Sequence, residues 1–238
     1  MPLSDEAIIL AGGFGTRLKS VVNDVPKPLA PIRGRPFLCF VLDILAEQGF
    51  RKVVLATGYM GDVVSRTLGS RWKDVELSYS RETAPLGTGG AIAQAVEQLD
   101  GRAFFVLNGD TFLSLDYAKF EQASRSGNTL LAMALAPVND VSRYGAVTVK
   151  DDRVIGFIEK GDSVGPGYIN AGVYYMDRSL LTDFPSKPCF SFETDVLVPS
   201  SSSRHVSAFT DTRNFIDIGV PDDYKRAQTE LAATVIDL

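Results

Sequence analysis

Histidine is almost absent: the 238 residues contain one, His205. A histidine general base, a catalytic triad and a His-ligated metal centre therefore have almost nothing to be built from, and His205, with no partner pattern around it, reads as structural or surface. Cysteine is nearly as scarce. Cys39 and Cys189 stand far apart and in no metal-binding spacing, which excludes a zinc ribbon or a disulfide scaffold. They read as reduced thiols, with a single disulfide as the alternative. No apolar run approaches the roughly 20 residues that a membrane-spanning helix needs. The N-terminus has no basic region leading into an apolar one, so neither a span nor a secretory leader is expected. There is no block of Lys and Arg either, and a net charge of −5 with a pI near 5.0 points away from nucleic acid. The expectation is a cytoplasmic protein without a membrane or nucleic-acid partner. If its ligands are anions, it must gather its cations locally or recruit a metal.

What is present is glycine, concentrated in one place. Leu10-Ala11-Gly12-Gly13-Phe14-Gly15-Thr16-Arg17-Leu18 follows a short apolar run, Ala7 to Leu10, that reads as a buried first strand. Gly12, Gly13 and Gly15 remove side chains where a backbone would turn tightly around a ligand. Successive N–H groups in such a loop form an anion-binding concavity. Thr16 adds a hydroxyl, and Arg17 adds a permanent cation whose fork fits phosphate oxygens. The spacing is neither the G-x-G-x-x-G of a dinucleotide fold nor that of a P-loop. A second cation, Lys27, lies between Pro26 and Pro28, which restrict the backbone on both sides of it. Together these features predict a polyphosphate site at the C-terminal end of the first strand.

With both pieces in hand the chain resembles the sugar-1-phosphate nucleotidyltransferases: Leu10 to Leu18 followed by Pro26-Lys27-Pro28-Leu29 matches their signature. The resemblance covers nearly the whole chain. It implies an α/β, three-layer Rossmann-like fold with a mostly parallel central sheet and a smaller mixed or antiparallel sugar-binding region. It implies one domain over residues 1–238, with the nucleotide-binding half ending near 136 and the sugar-phosphate half following. No hexapeptide repeat is visible, so the β-helix acyltransferase domain that some of these enzymes carry is not expected. In this family Arg17 and Lys27 would contact the nucleoside triphosphate and promote the chemistry, and the Leu10–Thr16 loop would hold the nucleotide.

The periodicity agrees with that fold. Pro36 to Gly49 predicts a helix, Lys52 to Thr57 a buried strand, Gly61 to Leu68 a short helix and Val75 to Ser80 a third strand. This rhythm builds a parallel sheet with helices on both faces. Pro85-Leu86-Gly87-Thr88-Gly89 then precedes a helix expected over Ile92 to Gln98. Its glycines allow close approach beside a helix N-terminus, where anions are favoured, or make an ordinary strand-to-helix turn. The resemblance implies that this loop, with Pro85, Gly87 and Thr88, holds the nucleobase and ribose. Glu82 precedes it. A carboxylate there can accept from the adjacent N1–H and N2–H₂ donors of guanine, whereas uracil and thymine present one N–H between two carbonyls. Glu82 therefore leans towards GTP; its alternative is a solvated loop glutamate.

Asp110 follows the expected strand Arg102 to Leu107, the place where α/β sheets bind ligands, and is the best single magnesium candidate. Asn108-Gly109-Asp110 is also good turn chemistry. Further on, helix Asp116–Ser126 and strand Thr129–Ala136 are expected. From Asp140 the character changes to short strands over Tyr144–Val149, Arg153–Glu159 and Tyr168–Met176, which look like an antiparallel or mixed region. In the resembled family this region grips the sugar phosphate through Tyr144-Gly145, Glu159-Lys160 and Asn170. Lys160 could neutralise the phosphate, while Glu159 and Asn170 could bond hydroxyls. A short helix over Phe192–Val198 carries Glu193, where the family often places a sugar contact, and Pro199–Ser203 reads as a polar loop. Asp217, between apolar neighbours in Phe215-Ile216-Asp217-Ile218-Gly219-Val220-Pro221, needs a partner if buried. That partner is a shared metal ion or a structural hydrogen bond, and the resemblance favours Mg²⁺ held by Asp110 and Asp217. Asp222 to Thr234 closes the chain with an amphipathic helix.

The resemblance implies the reaction sugar 1-phosphate plus NTP giving NDP-sugar plus pyrophosphate. The tail Phe215–Tyr224 and the Glu82 loop look most like the D-glycero-D-manno-heptose 1-phosphate guanylyltransferases, whose product would serve capsule or lipopolysaccharide synthesis. Mannose-1-phosphate guanylyltransferases and uridylyl- or thymidylyltransferases are the neighbouring readings, and phosphocholine or another phosphate monoester remains a rival acceptor. Outside this class stand a non-catalytic nucleotide-sugar-binding regulator and an oxidoreductase. The oligomeric state stays open.

Overall fold

A computed structural model describes residues 4–13, 25–203 and 205–234. The first strand, β1 (Glu6–Leu10), is apolar on both faces and sits inside the sheet. A small hairpin, β2 (Pro31–Ile32) and β3 (Arg35–Pro36), leads into α1 (Phe37–Glu47), and the alternation continues through β4 (Lys52–Thr57), α2 (Gly61–Leu68), β5 (Arg71–Trp72), β6 (Val75–Arg81), α3 (Gly87–Ala95) and β7 (Ala103–Asn108). β8 (Thr111–Leu115), α4 (Tyr117–Ser126) and β9 (Leu131–Val138) complete the first half. The second half holds β10 (Ala146–Lys150), β11 (Arg153–Ile158), β12 (Gly167–Asp177), α5 (Val198–Ser202), β13 (Val206–Phe209), β14 (Thr212–Asp217) and α6 (Pro221–Thr234).

Ten of these strands form one sheet in the order β10-β11-β13-β9-β12-β7-β1-β4-β6-β5. β1 lies parallel to both β4 and β7, and β4 parallel to β6, whereas β12 runs antiparallel to β7 and β9. Side chains alternate between faces, so neighbouring residues join different cores. Ala7, Ile9, Val53, Leu55 and Phe105 pack under α1, α2, α4 and α6, with Leu38, Val64, Phe120 and Leu231 facing them. Ile8, Val54, Phe104 and Val106 pack on the other side with Ile92 and Ala95 of α3 and with Phe192 and Val196. This is the three-layer α/β arrangement. Strands β10 to β13 extend the same sheet and contribute to both cores.

Three details depart from the expectations. α3 begins at Gly87, so the Gly87–Gly90 run forms its first turn. Residues 199–203, expected as a polar loop, belong mostly to α5. Pro199 suits a helix start, and the Ser201 and Ser202 hydroxyls donate back to the Val198 carbonyl. Finally, Thr111–Leu115 is a strand that the sequence pattern did not mark. It pairs with β14 in a separate two-stranded sheet with Thr111 opposite Asp217, and that pairing builds one end of the site.

Candidate active site

At the C-terminal ends of β1, β4 and β7 lies a cavity of about 360 Å³ lined by Leu10, Ala11, Gly12, Gly13, Lys27, Pro28, Ala56, Glu82, Pro85, Gly87, Thr88, Ala91, Asn108, Asp110 and Glu193. The sheet register makes its floor: the Ala11 amide donates to Ala56 O at 2.8 Å, and the Gly109 amide donates to Leu10 O at 2.9 Å. A Cβ on Gly109 would lie 2.6 Å from that carbonyl, so only glycine lets the exit of β7 press so closely on β1. Leu10, Ala11, Gly12, Gly13, Lys27, Glu82, Pro85, Gly87, Thr88 and Asp110 are thus brought together. Gly15, Thr16 and Arg17 lie outside the described residues.

One end of the cavity is acidic and holds one ammonium. Lys27 opens a 3₁₀ turn between its two prolines, and its Nζ pairs with Asp110 Oδ2 and lies 3.8 Å from Asp217 Oδ1. The Ile218 amide donates to Asp110 O at 3.0 Å, locking the two carboxylate-bearing segments together. The Gly219 amide donates to Asp217 Oδ1 at 2.6 Å. Burial and the neighbouring Asp110 push the Asp217 carboxyl above its usual range, and Lys27 pulls it back only in part. Among the described residues no group of three or more His, Cys, Asp and Glu is gathered to hold a metal. A pair of carboxylates does fit Mg²⁺, which takes one or two from the protein and the rest of its shell from water and phosphate. The Asp110 charge, which adds to burial in raising Asp217, is what such a cation would relieve.

The other end carries Glu82. Its Oε2 accepts from the Leu86 amide at 3.2 Å, its own amide donates to Thr57 O at 2.8 Å, and a Cβ on Gly12 would come within 3.0 Å of Oε1. Burial raises its carboxyl above the ordinary value. The side chain is therefore held against the glycine loop by its neighbours and is not a loosely solvated loop residue.

The glycines of α3 have a packing reason that the sequence did not suggest. A Cβ on Gly87 would meet Phe190 O at 2.4 Å, one on Gly89 the Phe190 ring at 2.1 Å, and one on Gly90 Pro188 O at 2.3 Å. The close approach here is to the chain's own segment 188–192. That segment is stitched on by Gly89 N to Phe190 O at 3.0 Å and Phe190 N to Leu86 O at 2.9 Å. Thr88 Oγ1 accepts from the Phe192 amide at 2.9 Å and donates to Glu193 Oε2 at 2.6 Å. Glu193, reached from the sequence only through a resemblance, thereby becomes part of the cavity wall.

The remaining candidates, Tyr144, Gly145, Glu159, Lys160 and Asn170, are not among the residues lining this cavity. Tyr144 packs edge-on against Phe215 at 5.6 Å, and its hydroxyl donates to Asp223 Oδ2 at 2.9 Å. Burial, and then the Asp223 carboxylate, push that phenol up to about 12. A Cβ on Gly145 would lie 2.7 Å from Ile158 O and 3.6 Å from the Lys160 amide, so the Tyr144 turn abuts the strand end that carries Glu159 and Lys160. Both of those side chains are exposed. Asn170 Nδ2 donates to Tyr174 Oη at 2.7 Å, and Asn170 Oδ1 accepts from the Gly172 amide. Gly172 in turn crowds Asn108 on the cavity wall. Sequence reasoning missed Asn108, Ala56 and Ala91 in the lining, and Asp223 as the partner of Tyr144. Asn108 sat in the same Asn-Gly-Asp run as Asp110; Asp223 had no local signal.

Cys39 is buried and Cys189 exposed, both as free thiols. His205 is exposed at the entrance to β13. Among the described residues no helix is long and apolar enough to cross a membrane.

A family model described as nucleotidyl transferase matches residues 6–234. A D-glycero-alpha-D-manno-heptose 1-phosphate guanylyltransferase from Aneurinibacillus thermoaerophilus is 41% identical over 226 residues, covering 95% of this chain and 98% of its own. One of the same name from Campylobacter jejuni is 40% identical over 220 residues, covering 92% and 96%. The crystal structure of HddC from Yersinia pseudotuberculosis complexed with GMP-PN superposes with a TM-score of 0.84 at 38% identity, covering 94% of this chain and 98% of that one.

Proposed function

The chain belongs to the nucleotidyl transferase family, and on that premise we propose that it transfers a guanylyl group from GTP to D-glycero-α-D-manno-heptose 1-phosphate, giving GDP-heptose and pyrophosphate. The observation that carries this reading is the polarity of the cavity. Glu82, an acceptor suited to guanine, stands on one wall, and the Asp110–Lys27–Asp217 cluster, suited to phosphate and its counter-ion, lies at the acidic end. Relatives of nearly full coverage that carry the heptose guanylyltransferase name support the choice of substrates.

The sugar phosphate is already a nucleophile, so the enzyme needs no general base. Its task is to bring two anions into line at the α-phosphorus. One oxygen of the sugar phosphate forms the new P–O bond as the bond to the β-phosphate breaks, and pyrophosphate leaves with that electron pair. Lys27, Arg17 and Lys160 neutralise charge on the two substrates. Asp110 and Asp217 are the residues that would hold Mg²⁺, which supplies charge neutralisation at the α-phosphate. Glu82 accepts from the guanine edge, with Pro85, Gly87 and Thr88 placing base and ribose. Tyr144, Gly145, Glu159, Asn170 and Glu193 are assigned to the acceptor. Both substrates are small phosphorylated metabolites, which fits work in the cytoplasm and a product that supplies capsule or lipopolysaccharide assembly.

The test is a grid of GTP, UTP, dTTP and CTP against heptose, mannose, glucose and N-acetylglucosamine 1-phosphates with Mg²⁺, scored by pyrophosphate release. The highest kcat/KM is expected for GTP with the heptose phosphate. A preference for mannose 1-phosphate would move the acceptor, and no release in any cell would leave only a binding role.

A further inference from the structure

Asp223 lies in the first turn of α6 and is 2% exposed. Its Oδ2 accepts from Tyr144 Oη at 2.9 Å and from an Arg143 guanidinium nitrogen at 3.0 Å, and its Oδ1 pairs with Arg226 at 3.1 Å. Arg226 belongs to the same helix, whereas Tyr144 and Arg143 come from the turn before β10. A carboxylate this deeply buried is tolerated only when its partners are fixed around it, so the arrangement holds that turn in one place. The Arg143 guanidinium also lies over the Tyr144 ring, 5.4 Å from its centroid. The turn's far side is Gly145, pressed on the Ile158 carbonyl and the Lys160 amide.

The next residue of α6 faces elsewhere. Tyr224 Oη donates to Pro31 O at 2.6 Å, which braces the hairpin that follows Lys27. One helical turn, beginning just after Asp217, therefore braces the acceptor side through Asp223 and the Lys27 side through Tyr224.

We propose that Asp223 is a positioning residue for the acceptor: acting through Tyr144 and Arg143, it sets the sugar-phosphate side of the site and leaves the nucleotide side alone. This rests on the assignment of Tyr144 to the sugar phosphate. Asp223 acts through Tyr144, the acceptor residue it holds, and through Arg143 beside it.

The experiment is steady-state kinetics of the full chain, with GTP and the sugar 1-phosphate varied in turn, for wild type, Asp223→Asn, Tyr144→Phe, the double variant and Tyr224→Phe. Asp223→Asn keeps shape and removes the charge that holds Arg143; charged hydrogen bonds of this kind are worth about a tenfold change in an equilibrium. The expected result is a rise of about tenfold in KM for the sugar phosphate with KM for GTP within about twofold. Tyr144→Phe should raise the same KM, and the double variant should be little worse than Asp223→Asn alone. Tyr224→Phe, which loosens the same helix turn, should leave the sugar-phosphate KM unchanged. If Asp223→Asn does not fold, Arg143→Gln removes the contact from the other side and should raise the sugar-phosphate KM alone. Equal rises in both KM values, or a fully additive double variant, would overturn the proposal. An effect of Tyr144→Phe with none from Asp223→Asn overturns it while sparing the acceptor assignment. The reverse pattern overturns it together with the assignment of Tyr144.

Discussion

Asp110 and Asp217 meet at one ammonium: Lys27 Nζ pairs with the first and stands 3.8 Å from the second. The backbone enforces the meeting, because β14 pairs with β8 so that Asp217 stands opposite Thr111. If these carboxylates hold Mg²⁺ in turnover, replacing either one removes a hard-oxygen ligand and leaves the substrates' charge uncompensated. Asp110→Asn and Asp217→Asn are expected to lower kcat by at least about 100-fold with an unchanged circular dichroism spectrum. Chelation should abolish pyrophosphate release in the wild type and added Mg²⁺ should restore it. Near-normal rates in either variant would remove the metal from this end of the cavity.

Glu82 makes a prediction with a sign. Burial raises its carboxyl above the ordinary value of 4.5. A raised carboxyl binds its proton more tightly in the folded state, so its contribution to stability is present at low pH and is lost as pH rises through the raised value. Glu82→Gln removes that loss. Thermal melts from pH 4 to pH 8 should show the variant gaining on wild type as pH increases, while its preference for GTP over UTP shrinks. Parallel melting curves would contradict the buried-carboxylate account, and unchanged discrimination would contradict the guanine contact.

Gly89 sits inside α3, where alanine is ordinarily better by about 1 kcal/mol. Here the added methyl would land 2.1 Å from the Phe190 ring. Gly89→Ala is therefore expected to destabilise by about 1–3 kcal/mol in denaturant titration. Phe190→Leu, by vacating the ring position, should recover part of that loss when combined with it. A more stable single variant would show that segment 188–192 packs elsewhere.

Thr88 links that segment to the cavity by accepting from the Phe192 amide and donating to Glu193. Thr88→Val strands both partners at about 1–3 kcal/mol each if they stay buried. It should lower the melting temperature and raise KM for both substrates, because the bond joins a residue assigned to ribose with one assigned to sugar. Thr88→Ser, which keeps the hydroxyl, should behave nearly as wild type. An effect on only one KM would place Glu193 on a single substrate.

What could be read from the sequence was local. The first strand, the glycine loop, Lys27 between its prolines and Asp110 after β7 each announce themselves within a few residues. Asp217 was legible because a lone carboxylate among apolar neighbours demands a partner. What stayed hidden was distant in the chain. Thr88 and Glu193 are 105 positions apart, and nothing near Gly89 in the sequence reveals that Phe190 lies against it. Asp223 looked like one more acidic residue in a helix's first turn, where such residues are common. Its burial depends on a turn contributed by another part of the chain.

The sheet has a mechanical consequence. β12 is hydrogen-bonded to β7 on one side and to β9 on the other, so the strands bearing the nucleotide candidates and those bearing the acceptor candidates belong to a single stiff plate. Among the described residues, folding these two sides onto each other, as a two-lobed enzyme does, would tear a ladder of backbone bonds. Admitting two anions and releasing two products must then be managed at the rim of the cavity and not by swinging halves.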